Sequence, residues 1–271
     1  MKKNYYLLII FILFVTFFSI PRANAHTLIR IFASDAVSKP LRIIGNIFEK
    51  EHHGVKMDYE FSASGVFRVG ILGGVPPDIY ITSNENYQSD LMERADINSY
   101  KVFAHDYLVV ATPFKNPAGV SESNLISKLM NKNISLTIAS SSFSPAGHYT
   151  MNMFKAINKI TPGAFNKIVN HAKQLLSPAL ITPLLKKDKT DIGIIYASQA
   201  SELTKEGIGI NVIPIPTQYN TKANFTISIL NMSPFHFVSQ RRKKLNNEFK
   251  KLILSKTGQK ILKQWGFSPA Q

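Results

Sequence analysis

Thr27-Leu28-Ile29-Arg30-Ile31-Phe32-Ala33, followed by Ser34-Asp35-Ala36-Val37-Ser38-Lys39-Pro40, opens the stretch whose reading decides the fold. The first run alternates as a strand. Pro40 suits a first helical turn. Leu41, Ile44 and Phe48 then recur at helical spacing, and Gly54 stops the helix after His52-His53. Val55 to Phe61 reads as a second strand, Ser62-Ala63-Ser64-Gly65 opens a short helix ending at Gly73-Gly74, and Pro76-Pro77 leads into a third strand, Asp78 to Thr82. Strands alternating with helices at this spacing predict βαβ units around a parallel sheet.

Further along, the pattern starts again. Tyr107 to Ala111 and Ile134 to Ala139 read as strands, Ser140 to Ser144 as a serine-rich loop, and Pro145 as the start of a helix carrying Met151, Phe154 and Ile157. Leu175 to Leu185 is expected to be a helix despite its two prolines. Asp191 to Tyr196 is a strand, with a helix from Ser198 to a stop at Gly207. Ile210 to Ile215 and Phe225 to Leu230 are strands, and two helices close the chain. Two α/β halves without a low-complexity linker imply lobes joined by strands. Ligands of such sheets sit beyond the carboxyl ends of the strands, at helix N-termini.

The first 25 residues read as an address. Lys2 and Lys3 form a basic start, Tyr5 to Ile20 is apolar, and Ala23-Asn24-Ala25 fits signal-peptidase cleavage before His26. The rival reading is an uncleaved anchor, for which this run is marginal in length. There is no cysteine, so disulfides and thiolate metal sites are excluded. Lys and Arg number 32 against 17 Asp and Glu; without Lys2, Lys3 and Arg22 the excess is +12. Such a basic balance suits a nucleic acid, a membrane surface or an anionic ligand, and the export signal argues against nucleic acid. The clusters Lys186-Lys187-Asp188-Lys189, Arg241-Arg242-Lys243-Lys244 and Lys250-Lys251 read first as solvated faces.

Three strand-to-helix junctions are rich in small hydroxyl residues: Ser34 to Ser38, Ser62 to Gly65, and Ser140 to Gly147. A helix start offers unpaired N–H groups and partial positive charge, and serine hydroxyls add donors. Together these suit a compact dianion. Any one such serine is ordinarily a helix cap; three in corresponding places of two halves weigh toward a site. Tyr196, at a strand end, adds a phenol.

These residues resemble the periplasmic molybdate- and tungstate-binding proteins of ABC transporters. The similarity is carried by Ile31-Phe32-Ala33-Ser34, Phe61-Ser62-Ala63-Ser64-Gly65 and Gly74-Val75-Pro76-Pro77-Asp78-Ile79-Tyr80-Ile81. It continues through Tyr107 to Ala111, Pro145-Ala146-Gly147-His148-Tyr149, Asp191 to Ser198, Gly258 to Leu262 and Gly266-Phe267. The resemblance implies a two-lobed α/β fold of the type II periplasmic-binding kind with a hinge between the lobes. Lobe I would hold residues 26–104 plus 226–271, and lobe II residues 105–225. It implies no enzyme activity and no cofactor. It also implies a periplasmic monomer that delivers a small oxyanion to an ABC permease with its ATPase. Residue by residue, it places ligand contacts at Ala36 (with Ser34 and Ser38 either side), Ser64, the N–H of Ala146, Pro178 and Tyr196. Ala36 lacks the family's hydroxyl, and Pro178 lacks an N–H, which would bring in Ser177 or Ala179 instead.

Other readings are weaker. Asp35 is the one acid in the three loops: as a helix-start residue it caps, and pointing inward it would accept a proton from phosphate or a phosphonate. His52-His53 has no spaced third ligand for a metal. Ser144, His148 and Asp191 have no nucleophile elbow around them. Tyr196 has no adjacent tyrosine to bind iron. A basic envelope protein binding anionic polymers or headgroups is the alternative of a different class, and steep salt dependence would mark it.

Overall fold

The computed structural model describes residues 26–231 and 239–270; the expected signal peptide lies outside them. Along the chain run β1 (Thr27–Ser34), α1 (Ser38–Glu51), β2 (Val55–Ser62), α2 (Ser64–Leu72), β3 (Ile79–Thr82), α3 (Glu85–Glu93) and β4 (Ile97–Asp106). Then come β5 (Leu108–Pro113), α4 (Leu125–Leu129), β6 (Leu136–Ala139), α5 (Pro145–Ile160), α6 (Ala164–Val169), β7 (Lys173–Leu175) and α7 (Thr182–Lys186). The chain ends with β8 (Ile192–Tyr196), α8 (Ala197–Lys205), β9 (Ile210–Pro214), β10 (Ala223–Leu230), α9 (Gln240–Leu254), α10 (Lys256–Gln264) and β11 (Ser268–Pro269). Among the described residues no helix is long and apolar enough to cross a membrane.

The strands form two sheets, one of six in the order β11-β4-β10-β3-β1-β2 and one of five in the order β7-β6-β8-β5-β9. The parallel expectation holds only in part. β1, β2 and β3 are parallel, as are β6, β7 and β8, but β10 runs antiparallel to β3 and β4, and β5 antiparallel to β8 and β9. The expected helix from Leu175 to Leu185 is also corrected. Leu175 ends β7, a single 3-10 turn follows at Pro178–Leu180, and α7 begins only at Thr182. Pro178 and Pro183 each lack an N–H and disfavour helical geometry in the residue before them, so no continuous helix forms.

α1 shows why the elements pack. Pro40, Leu41, Ile44, Gly45 and Phe48 are its buried residues, one stripe at helical spacing. The Phe48 ring meets Phe249 of α9 edge to face at 5.3 Å, so the first and ninth helices close one core beside the sheet. Removing that ring would cost about 3–5 kcal/mol.

The chain crosses between the sheets twice, between β4 and β5 and between β9 and β10. The two crossings are clipped together: the Asn220 amide donates to the Leu108 carbonyl at 2.7 Å and accepts the Leu108 N–H at 3.3 Å, taking the part of a strand backbone. Asp106 is buried at the first crossing. Its carboxylate accepts the Tyr107 N–H at 2.7 Å and the Ser198 N–H at 3.3 Å, at the start of α8. Burial pushes the Asp106 carboxyl up to about 7, against the pull of those donors.

Candidate functional site

The carboxyl ends of β1, β2 and β3 finish in line. Ser34 pairs in register with Ser62, and Ala33 with Ile81, so Ser34 and Thr82 are neighbours. From these ends the chain turns into helices. A 3-10 turn at Asp35–Val37 leads into α1, and Ala63 precedes α2. From the other sheet come the end of β6 with the loop into α5, the end of β7 with Ser177-Pro178, and the end of β8 at Tyr196. The Ser140 N–H donates to the Leu175 carbonyl at 2.6 Å, joining two of these ends.

The two sets face each other and touch. The Gly65 N–H, from the first turn of α2, donates to the Phe143 carbonyl at 2.8 Å. A Cβ on Gly65 would lie 2.5 Å from that oxygen, so only glycine allows this approach. The Tyr149 hydroxyl donates to the Ser83 carbonyl at 2.8 Å and the Tyr196 hydroxyl to Ser83 Oγ at 3.0 Å. At the rim, Lys39 Nζ reaches Glu206 at 2.9 Å and Glu202 at 3.8 Å, an ion pair between α1 and α8.

Each residue expected at the site has a definite place. Ser34 is buried at the end of β1, and Ser38 is half-buried at the first position of α1. Ala36 is buried in the 3-10 turn, and its N–H serves the Asp35 carboxyl. Ser64 is buried as the first residue of α2, and its Oγ has no hydrogen-bond partner. Ala146 is the second residue of α5, where N–H groups lack an intrahelical acceptor. Pro178 is buried and opens its 3-10 turn.

Tyr196 is buried as well, its ring edge-on to Phe225 at 5.5 Å. Burial holds its pKa well above 10, so the phenol keeps its proton. That proton goes to Ser83.

Asp35 keeps part of its surface in solvent while its carboxyl group is enclosed. Desolvation raises its pKa, and hydrogen bonds from Ser177 across the cleft and from Ala36 oppose the rise. Among the described residues no three His, Asp or Glu side chains gather to hold a metal ion. Four contributors escaped the sequence reading: Ser83, the Phe143 carbonyl, Tyr149 as a bridge, and the Lys39 ion pair. Ser83 carried a signal, since Thr82-Ser83-Asn84 is another hydroxyl-rich strand end.

Residues 29–268 match the family described as bacterial extracellular solute-binding protein. A protein of Pasteurella multocida (strain Pm70), PM1146, is 24% identical over 251 residues, covering 89% of this chain and 98% of its own. Among solved structures, the sulfate-binding protein SubI from Mycobacterium tuberculosis H37Rv superposes with a TM-score of 0.78 at 17% identity, over 91% of this chain and 88% of its own. The Azotobacter vinelandii periplasmic molybdate-binding protein does so with a TM-score of 0.74 at 14% identity, over 90% and 100%. The architecture is the two-lobed one of periplasmic binding proteins.

Proposed function

From the premise that this chain belongs to the bacterial extracellular solute-binding proteins, we propose that it captures a tetrahedral oxyanion, molybdate or tungstate, for an ABC importer. One observation carries the reading. Ser64 Oγ is buried at the start of α2 with no hydrogen-bond partner. A buried donor left unpaired costs about 1–3 kcal/mol, and an anion at the mouth of the helix would recover it. The loops that meet at the Gly65–Phe143 bond also carry the start of α5, where the Ala146 N–H lacks an intrahelical acceptor, and Ser34 ends the neighbouring strand β1. These donors suit a fully deprotonated dianion.

In this reading residues 1–25 are removed on export and the protein works in the periplasm as a monomer. Lobe I is 26–104 plus 226–271 and lobe II 105–225. The lobes swing about the two crossings. A ligand favours the closed form by its differential affinity for it, and the closed form docks on the permease.

Asp35 favours a second reading. An enclosed carboxyl with a raised pKa, beside the same loops, suits a ligand that carries a proton, such as phosphate or a phosphonate. Calorimetric titration with molybdate, tungstate, sulfate and phosphate decides between them. Molybdate and tungstate should bind alike, with sulfate weaker because it is smaller. Phosphate binding tightest, together with its loss in Asp35→Asn, overturns the molybdate assignment.

A further inference from the structure

Tyr196 has one proton to donate, and it is spent on Ser83 Oγ at 3.0 Å. What remains to the phenol is lone-pair capacity, of little use to an anion. Ser83 has the opposite balance. Its Oγ has accepted a proton and its carbonyl has accepted another from Tyr149 at 2.8 Å. Its own O–H meets no acceptor among the described residues. The residue is 1% exposed, so water does not readily serve. It follows Thr82 at the end of β3, one position past the row in which Ser34 and Ser62 stand.

Resting on the oxyanion reading above, we infer that Ser83 is a ligand-binding residue, its hydroxyl the donor to the anion. Tyr196 is a positioning residue that fixes the hydroxyl rotor by donating to it. A chain of two hydroxyls pointing the same way also polarises the terminal O–H, which strengthens its bond to a negative oxygen. The relay spans the two lobes, so the donor is set only when they meet.

The test is calorimetry on wild type, Ser83→Ala, Tyr196→Phe and the double variant with sodium molybdate, tungstate, sulfate and phosphate. For the anion that wild type binds best, Ser83→Ala should weaken binding at least tenfold. Tyr196→Phe should weaken it less. Once Ser83 is alanine, Tyr196→Phe should add under twofold. Because a mere latch would scale all anions by one factor, the molybdate-to-sulfate ratio in Ser83→Ala should also move at least threefold. Ser83→Thr and Ser83→Val, equal in shape and different in the hydroxyl, give the same comparison if the alanine variant does not fold.

Unchanged affinity in Ser83→Ala, equal binding by the threonine and valine variants, or full additivity of the two single losses overturns the inference while the oxyanion reading stands. Wild type binding none of the four anions overturns both.

Discussion

Gly65→Ala tests whether the observed approach of the two loops is the ligand-holding one. The added Cβ would stand 2.5 Å from the Phe143 carbonyl oxygen and 2.9 Å from its carbon and Cα. Reaching ordinary contact requires the loops to part by roughly 0.9 Å, which also breaks the 2.8 Å bond between the Gly65 N–H and that oxygen. Phe143 lies on an exposed loop, so overpacking is taken at its low end, about 1 kcal/mol. The lost bond adds about 1 kcal/mol. The total of about 2 kcal/mol falls on the closed form alone and amounts to roughly thirtyfold in affinity.

The local helix responds with the opposite sign, because alanine in a helix is up to about 1 kcal/mol better than glycine. The variant should therefore bind its best anion about thirtyfold more weakly by calorimetry, with ligand-free thermal unfolding unchanged or raised. Wild-type affinity in the variant would refute the reasoning, and so would a loss matched by an equal fall in stability.

Three further outcomes are expected. Ser64→Ala should lower anion affinity by about 1.5–3 kcal/mol, the worth of a hydrogen bond to a charge, while ligand-free stability in denaturant melts holds or rises, because Oγ had no partner to lose and its unpaired burial is relieved. Asp106 has a folded pKa of about 7, above its ordinary 3.8, so folding takes up a proton and the contribution to stability falls as pH rises through that window. Asp106→Asn should gain on wild type by a few kcal/mol between pH 4 and pH 8; a gap that does not vary with pH would show that the acid is not desolvated. Finally, N-terminal sequencing of protein released from the periplasm should begin at His26, and Met1 retained in the membrane fraction would count against export.

The early βαβ units were legible because each strand and helix declares its own period: Thr27 to Ala33 alternates, and Leu41, Ile44 and Phe48 share a face. β4 was not. Residues Asn98, Ser99 and Lys101 leave it half polar, and its pairing with β10 is broken by register shifts, so no clean alternation marks it. The insertion of β10 between β3 and β4 is a tertiary choice that no local spacing encodes. At the site, the serine-rich junctions were readable because hydroxyl residues at helix starts advertise themselves. The partner of Tyr196 was not, since Ser83 and Tyr196 meet only through the approach of two sheets. Asp35 stood between capping and facing inward, and only the position of Ser177 across the cleft shows what its carboxyl meets.

The place of β10 also sets an order of assembly. β3 and β4 leave a gap one strand wide in the first sheet, and the segment that fills it follows the whole second sheet in sequence. The second sheet draws only on Leu108 to Pro214 and can form from its own stretch. The first cannot be sealed until Ala223 to Leu230 returns, and such non-local pairing is slow. Until then β3 offers an unpaired edge to any strand that meets it.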